Sequence, residues 1–222
     1  MKQVAEDVSL LRGQIPIPYA INTYLVGDVL VDAGGRTDTG VILKELRGRP
    51  LSAHAITHAH PDHQGASHRV CQEFGIPFWV PEADVPAAED PELIDKLQPD
   101  HPIAHLMHRM FTGPGHEVDR ALREGDEVAG FAVLDTPGHS AGHMSLWRES
   151  DRTLILGDVL NSQDPLLGIR GLREPKQFFS PDPARNRESA KRLGRLEPLL
   201  VLFGHGPPVR DTRKFVDFCA RL

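Results

Sequence analysis

Short apolar runs bounded by turn residues recur along the chain and predict a fold rich in short strands. Residues 22–32 predict two strands joined by a turn at Gly27 and Asp28. Further apolar runs predict strands at residues 53–57, 77–80, 128–136, 143–147, 153–156 and 199–203. Apolar positions at helical spacing predict helices at residues 39–47, 64–74, 183–196 and 212–220.

The order of these elements bears on the fold class. Helices and strands do not alternate strictly, and several strands follow one another through tight turns. This order favours packed, mixed β-sheets flanked by helices over a doubly wound parallel sheet. Because the chain has 222 residues and shows no repeat or linker, we predict a single mixed α+β domain spanning residues 1–222.

The segment at residues 81–126 departs from this pattern. It is rich in proline, histidine and acidic residues and predicts two short helices, at residues 91–97 and 102–111. We interpret it as a helical insertion that lies over the core and covers the functional site. A second segment, at residues 161–182, is rich in proline and arginine and is predicted as a loop.

Composition and charge argue against several classes of protein. The formal net charge of −6 disfavours a broad nucleic-acid surface, which relies on lysine and arginine to neutralise phosphates. No apolar stretch approaches the roughly 18 residues that span a bilayer, and residues 1–12 lack the apolar core of a signal peptide. Cys71 and Cys219 lie far apart and form no CxxC pair. We therefore expect a cytoplasmic protein without a nucleic-acid or membrane partner.

Three histidines and one aspartate follow directly after a predicted strand, in the sequence THAHPDH at residues 57–63. In an extended backbone His58 and His60 project to the same side. The proline that follows ends the strand, so Asp62 and His63 lie on the turn into the next helix. The four side chains form two pairs that could serve two metal ions. Imidazole and carboxylate suit borderline divalent ions such as zinc, iron and manganese.

Three further polar residues occupy the same kind of position after predicted strands. They are His139 in TPGHSAGH, Asp158 in LGD and His205 in FGHGPP. The glycine beside each one allows the backbone to bend sharply or to approach another group closely. Polar residues at the ends of separate strands can converge at one rim of a sheet core, so we predict a common site.

The ordered set of HxHxDH, a later histidine, a GD aspartate and a final GHG histidine resembles the metallo-β-lactamase superfamily. The separations agree with this resemblance: 139 − 63 = 76, 158 − 139 = 19 and 205 − 158 = 47 residues. With the early VDAG element at residues 31–34, the resemblance covers nearly the whole chain. It implies a four-layer αβ/βα sandwich of two mixed sheets, with metal ions at one edge.

The resemblance implies two divalent ions, with zinc expected first and iron or manganese as alternatives. The first ion would be held by three imidazoles, those of His58, His60 and His139. The second would be held by one carboxylate and two imidazoles, those of Asp62, His63 and His205. Asp158 would bridge both ions. Asp32 matches the family's early aspartate and would orient ligands without binding metal.

The implied activity is hydrolysis. A water between two cations about 3.5–4 Å apart loses a proton near neutral pH. The resulting metal-bridging hydroxide would attack the electrophilic carbon of a small ester, thioester or lactone. In this scheme Asp62 retains a free carboxylate oxygen, and we predict it to be the catalytic residue that steers the nucleophile or carries a proton.

Within the superfamily, the residues favour some branches over others. Asp158 argues against a true β-lactamase, and His60 stands where flavodiiron proteins have glutamate. The metal set is similar to that of glyoxalase II. However, only 222 − 205 = 17 residues follow His205, so the glutathione-binding C-terminal domain is expected to be missing. The additional elements of the ribonuclease Z-like branches are not found in the sequence.

An alternative of another class is a mononuclear non-haem iron dioxygenase that oxidises persulfides. In that branch of the superfamily two histidines and one aspartate hold one iron, and they correspond here to His58, His139 and Asp158. The presence of all ligands of the second site favours hydrolysis.

The segments at residues 81–126 and 161–182 are the expected pocket walls. An apolar surface could be formed by Leu106, Met107, Met110, Phe111, Phe178 and Phe179. A substrate carboxylate could be met by Arg170, Arg173 and Lys176, although ordinary loop charge is the favoured explanation of these residues.

Overall fold

The computed structural model describes residues 1–12 and 17–222, and its strands form two large sheets and one hairpin. The first sheet contains seven strands in chain order, β1 to β7: Lys2–Ala5, Val8–Arg12, Asn22–Val26, Val29–Val31, Ala53–Ala55, Phe78–Pro81 and Arg120–Leu122. Strands β1 to β4 are antiparallel neighbours, whereas β4 to β7 pair in parallel. The sheet is therefore mixed.

The second sheet has five strands, in the spatial order β14-β11-β10-β9-β8. In chain order they are Glu127–Val128, Phe131–Asp135, Met144–Arg148, Thr153–Ile155 and Leu200–Leu202. Only the β11–β14 pair of this sheet is parallel. The antiparallel hairpin consists of β12 and β13, at Asn161–Gln163 and Arg170–Arg173.

Eight α-helices, α1 to α8, are found among the described residues. They are Thr39–Leu46, Pro61–Gln64, Ser67–Phe74, Val85–Glu89, Glu92–Leu97, Pro102–Phe111, Pro183–Gly194 and Arg213–Ala220. Short 3-10 turns occur at Arg36–Asp38, Glu82–Asp84 and Gln177–Phe179. In the part of the chain that the structure describes, no helix combines the length and the apolar character that crossing a membrane requires.

Alternation of side chains along the strands explains the layered packing. In β4, Val29 and Val31 face the second sheet, whereas Leu30 faces α1 and α3. In β14, Leu202 faces the first sheet, and Val201 faces α7 and α8. Full burial of each such side chain contributes about 1.5–3 kcal/mol. The order helix, sheet, sheet, helix confirms the four-layer sandwich of two mixed sheets.

Several elements differ from the sequence-based expectation. The helix expected at residues 64–74 is divided into α2 and α3. Gly65 lies between them, at a place where a side chain would collide with the backbone of Arg36 and Phe111. The strand expected at residues 128–136 is a hairpin that turns at Gly130, where φ is +81°.

The two segments expected to flank the site also contribute strands. Residues 81–126 contain helices α4 to α6, but they also include β7, which forms the edge of the first sheet. Residues 161–182, expected as a loop, contain the β12–β13 hairpin. Strands β1 and β2 had no counterpart in the sequence-based prediction.

Candidate metal centre

The seven polar side chains singled out in the sequence lie together where strands of both sheets end. The first sheet supplies residues 58–63, which follow β5 and run into α2. The second sheet supplies the β9–β10 turn and the residues that follow β11 and β14. All seven side chains belong to groups whose ligand atoms lie within 4.8 Å of one another: His58, His60, Asp62, His63, His139, Asp158 and His205.

The first group consists of three buried imidazoles. The ring centroids of His58 and His60 are 4.5 Å apart, and those of His60 and His139 are also 4.5 Å apart. The His58 and His139 centroids are 4.9 Å apart. Three nitrogen donors at these separations form a triangular set that could hold one metal ion.

The second group consists of one carboxylate and two imidazoles. Asp62 Oδ2 lies 3.3 Å from His205 Nε2 and 3.9 Å from His63 Nε2. Both imidazoles are buried, whereas the Asp62 side chain is 28% exposed. This group could hold a second ion while leaving the carboxylate in contact with the adjoining cavity.

The Asp158 carboxylate lies between the two groups. Its Oδ2 atom is 2.8 Å from His205 Nε2, 3.6 Å from His63 Nε2 and 3.5 Å from His139 Nε2. Its Oδ1 atom is buried and has no hydrogen-bond partner among the described residues. Burial of an unpartnered carboxylate oxygen is costly, so the arrangement suits a bound cation.

Four of the five imidazoles are held in the same way. Each makes a hydrogen bond through Nδ1: His58 to the Thr57 hydroxyl, His63 to Asp32, His139 to the Ser180 hydroxyl and His205 to the Ala20 carbonyl. These bonds leave Nε2 facing the centre. The Nε2 atoms of His58 and His63 are buried without a partner in the described structure. Such outer hydrogen bonds fix the tautomer and ring orientation that a metal ligand needs.

Asp32 connects the two ends of the motif. Its Oδ1 accepts the Thr57 N–H at 2.7 Å, and its Oδ2 accepts the His63 Nδ1–H at 2.9 Å. The Thr57 hydroxyl donates to the same carboxylate. Asp32 itself has a φ of +60°, an uncommon conformation for a residue other than glycine. The contacts of Asp32 thus position ligand candidates, and it belongs to none of the clustered ligand groups.

Burial and charge divide the centre into two electrostatic halves. Burial lowers the pKa of His58 and His139 well below the ordinary value and that of His60 to about 4. These rings are therefore neutral at physiological pH. A neutral imidazole has the free lone pair that metal coordination requires.

In the second half, carboxylates outweigh the effect of burial. Burial alone would lower the pKa of His205, but Asp158 and Asp62 raise it to about 10. The pKa of His63 is likewise raised well above its ordinary value, chiefly by Asp158 and Asp32 against the effect of burial. In the absence of metal, His63 and His205 therefore carry protons, because the nearby carboxylates favour positive charge there. Metal binding would displace these protons.

Comparison with known proteins agrees with this geometry. Residues 16–205 match the family model of the metallo-β-lactamase superfamily. The chain belongs to that superfamily.

Two curated relatives and one solved structure illustrate this membership. The probable metallo-hydrolase YflN of Bacillus subtilis is 31% identical over 200 residues, which cover 82% of this chain and 76% of YflN. The hydroxyacylglutathione hydrolase of Bdellovibrio bacteriovorus is 30% identical over 200 residues, covering 87% of this chain and 62% of that enzyme. The di-iron-bound structure of TTHA1623 has a TM-score of 0.69 at 28% identity, with 96% of this chain and 98% of that chain covered. The chain is thus a metal-dependent hydrolase in the general sense of its superfamily.

In this metallo-β-lactamase-fold protein, His143 binds the backbone of Asp158, and two glycines leave room for these two side chains. The His143 Nε2 accepts the Asp158 N–H at 2.9 Å, and its Nδ1 bonds to the Thr136 hydroxyl at 2.9 Å. Both ring nitrogens are therefore engaged, which leaves His143 unsuited to metal binding. A Cβ at Gly204 would collide with Asp158 Oδ1, and a Cβ at Gly157 would lie 2.6 Å from His143 Nε2.

Asp84 is a buried residue of the site that the sequence analysis missed. Its Oδ2 accepts the Ala59 N–H at 2.9 Å and the Ser140 hydroxyl at 2.7 Å. Its Oδ1 accepts the Gly142 N–H at 2.6 Å. Ala59 separates His58 from His60 and Ser140 follows His139, so one carboxylate ties together the two loops of the first group. The available signal was an acidic residue shortly after the predicted strand at residues 77–80.

A cavity of about 220 Å³ opens directly onto the centre. It is lined by residues of α6 and of the segment that follows the β12–β13 hairpin. Lys176 lines it too, but its Nζ lies 2.8 Å from Asp164. Arg173 pairs with the same carboxylate at 3.3 Å, and Arg170 is exposed. The basic side chains expected to meet a substrate carboxylate are thus either engaged by Asp164 or directed to solvent.

We predict that Asp84→Ala weakens metal binding by about 10- to 100-fold, because loss of an outer hydrogen-bond partner commonly costs this much affinity. The affinity for zinc can be measured by competition with a chromophoric chelator. Asp90→Ala is the matched control, since Asp90 lies in the same segment and, among the described residues, its exposed carboxylate accepts one hydrogen bond, from the Glu92 N–H. Equal affinities of the Asp84→Ala and Asp90→Ala proteins would contradict the positioning role of Asp84.

Proposed function

We propose that the protein is a dinuclear metal-dependent hydrolase that cleaves a small ester, thioester or lactone. The observation that carries this proposal is the position of Asp158, whose Oδ2 lies 2.8 Å from His205 Nε2 and 3.5 Å from His139 Nε2. One carboxylate thus faces both ligand groups. Two metal ions that share a ligand stabilise both the attacking and the leaving oxygen of a hydrolysis.

The donor set suits two divalent ions. The first would be held by the imidazoles of His58, His60 and His139. The second would be held by Asp62, His63 and His205, with Asp158 as the shared ligand. Nitrogen and carboxylate oxygen donors suit zinc, and they also suit iron and manganese. We propose zinc first, with iron and manganese as alternatives. The structurally similar TTHA1623 is described in a di-iron-bound form, which supports keeping iron among them.

Bound divalent ions would lower the pKa of a water at the centre and polarise the carbonyl oxygen of the substrate. Asp62 is the residue of this chain placed to handle the proton. Burial would raise the pKa of Asp62, but His63 and His205 hold it well below its ordinary value. The carboxylate also lines the cavity, where it is placed to accept a proton from water and then pass it to a leaving group.

The shape of the site supports a small substrate. The cavity of about 220 Å³ is bounded by His60, Asp62, His139, Asp158 and His205 at the centre. Two relatives bear the names of a metallo-hydrolase and of a hydroxyacylglutathione hydrolase, which is consistent with hydrolytic chemistry.

We predict that the metal-loaded protein hydrolyses at least one member of a panel of p-nitrophenyl esters, acyl thioesters and γ- and δ-lactones. Activity should disappear after treatment with a chelator and return when zinc, manganese or iron is added, because the ions supply the Lewis acid. Release of p-nitrophenol, free thiol and acid provides three independent readouts.

The same protein preparation should consume no oxygen when supplied with glutathione persulfide. Oxygen uptake that depends on iron, without hydrolysis of any member of the panel, would contradict the hydrolase proposal. That result would instead establish the persulfide dioxygenase alternative.

We further predict that Asp62→Asn lowers kcat by about 100-fold, the usual scale for loss of a general acid or base. Metal content must be measured on the same sample, since Asp62 is also a proposed ligand. Asp211→Asn makes the same chemical change at an exposed carboxylate and should leave kcat unchanged. Full activity of Asp62→Asn with unchanged metal content would exclude a proton-transfer role.

A further inference from the structure

We propose that the substrate carries an uncharged, apolar chain next to the scissile bond, and that this chain lies between helix α6 and residues 164–179. The inference rests on the proposed hydrolase function for the reaction, but the chain-binding cavity itself can be tested without any reaction. It names a substrate class that the metal centre alone does not specify.

The walls of the cavity are predominantly apolar on both sides. Helix α6 contributes Ala104, Met107 and Phe111. The opposite wall contains Leu166, Pro175 and Phe179. Because these walls adjoin the residues of the metal centre, a chain attached to the reacting carbonyl would continue directly into apolar surroundings. Binding sites of this type combine mostly apolar walls with a few polar groups that fix the orientation.

The basic side chains of the second wall already form ion pairs with a buried carboxylate, that of Asp164. Asp164 is 1% exposed and receives both Lys176 Nζ and Arg173 Nη1. The backbone N–H groups of Leu166 and Leu167 donate to the same carboxylate, at 3.0 and 3.1 Å. Asp164 therefore fixes the loop and pairs with both basic side chains. A substrate with an anionic chain would have to compete with this buried carboxylate.

Contacts at both ends of α6 hold the helix in place, and the contact at its start joins the two walls, so the cavity is formed before a substrate binds. The His101 ring, at the start of α6, stacks on Phe178 with centroids 4.2 Å apart and an angle of 8° between the planes. At the other end of the helix, Arg36 Nε donates to the Met110 carbonyl at 2.9 Å. Phe111 packs so closely on Gly35 that a Cβ there would meet its ring at 2.5 Å. A preformed apolar cavity favours ligands in proportion to the apolar surface they bury.

Leu106 and Met107 provide a matched pair for the test. They are adjacent in α6, but only Met107 of the two lines the cavity, whereas Leu106 is 51% exposed. The expectation that Leu106 forms part of the pocket surface is therefore wrong. Truncation of Met107 should remove contacts with a bound chain. Truncation of Leu106 removes a similar apolar volume from the solvent-facing side of the same helix.

The first measurement is the rate of hydrolysis in three series of substrates. In p-nitrophenyl esters and in methyl thioesters the acyl chain varies from acetyl to octanoyl. In acetate esters the alkyl group of the alcohol varies over the same lengths. For the metal-loaded protein we expect kcat/KM to rise about fourfold for each added methylene in at least one series, the scale set by burial of one methylene group. In the Met107→Ala protein the ratio of kcat/KM for the longest and shortest substrates of that series should fall about tenfold. The ratio for Leu106→Ala should equal that of the unmodified protein.

The second measurement is calorimetric binding of methyl alkyl ketones, from butanone to 2-decanone, which cannot be hydrolysed. Their Kd should decrease about fourfold per methylene in both metal-free and metal-loaded protein, because the walls are made by the chain itself. Binding should show the negative heat-capacity change typical of apolar burial. The dependence on chain length should weaken in Met107→Ala and persist in Leu106→Ala.

The outcomes separate the two proposals. Hydrolysis with no dependence on chain length in any series, or ketone affinities that do not increase with chain length, would overturn the chain-binding cavity and leave the hydrolase proposal intact. Absence of hydrolysis together with a fourfold step in ketone affinity would overturn the hydrolase proposal and support the cavity.

Discussion

Burial of imidazole and carboxylate groups between the ends of two sheets is the constraint on which the rest of this structure depends. A buried polar atom without a partner costs about 1–3 kcal/mol. On the outer side of the centre the imidazole Nδ1 atoms are satisfied, because they form hydrogen bonds with Asp32, Thr57 and Ser180. On the inner side, the Nε2 atoms of His58 and His63 have no hydrogen-bond partner among the described residues. Cations supplied from solution would satisfy these inner atoms.

The centre also depends on the packing of the two sheets against each other. The first sheet supplies residues 58–63, and the second supplies His139, Asp158 and His205. Direct hydrogen bonds join the sheets nearby, because the Tyr24 hydroxyl and the Asn22 amide both donate to the Phe203 carbonyl, each at 2.8 Å. Neither sheet alone could assemble the ligand groups. Metal binding is therefore expected to stabilise the folded sandwich, as it does wherever ligands come together only on folding.

Local sequence patterns predicted those parts of the fold that depend on residues close together in the chain. Helix α6 has the bounds expected from its sequence, and the polar residues expected to converge after separate strands do lie together. The β12–β13 hairpin could not be predicted in this way, because Asn161–Gln163 is buried yet carries no alternating apolar residues. Asp84 was missed because its role arises from contacts distant in sequence, with Ser140 lying 56 residues away. The pairing of Lys176 with the buried Asp164 likewise depends on a turn that sequence periodicity does not reveal.

The central claim is that the seven clustered side chains form a centre for two metal ions, with Asp158 shared between them. The most direct measurement is the number of metal ions per chain, determined by plasma mass spectrometry on protein purified without added metal and again after saturation with zinc, manganese or iron. We predict about two ions per chain at saturation. A limit of one ion per chain with every metal would contradict the two-metal centre.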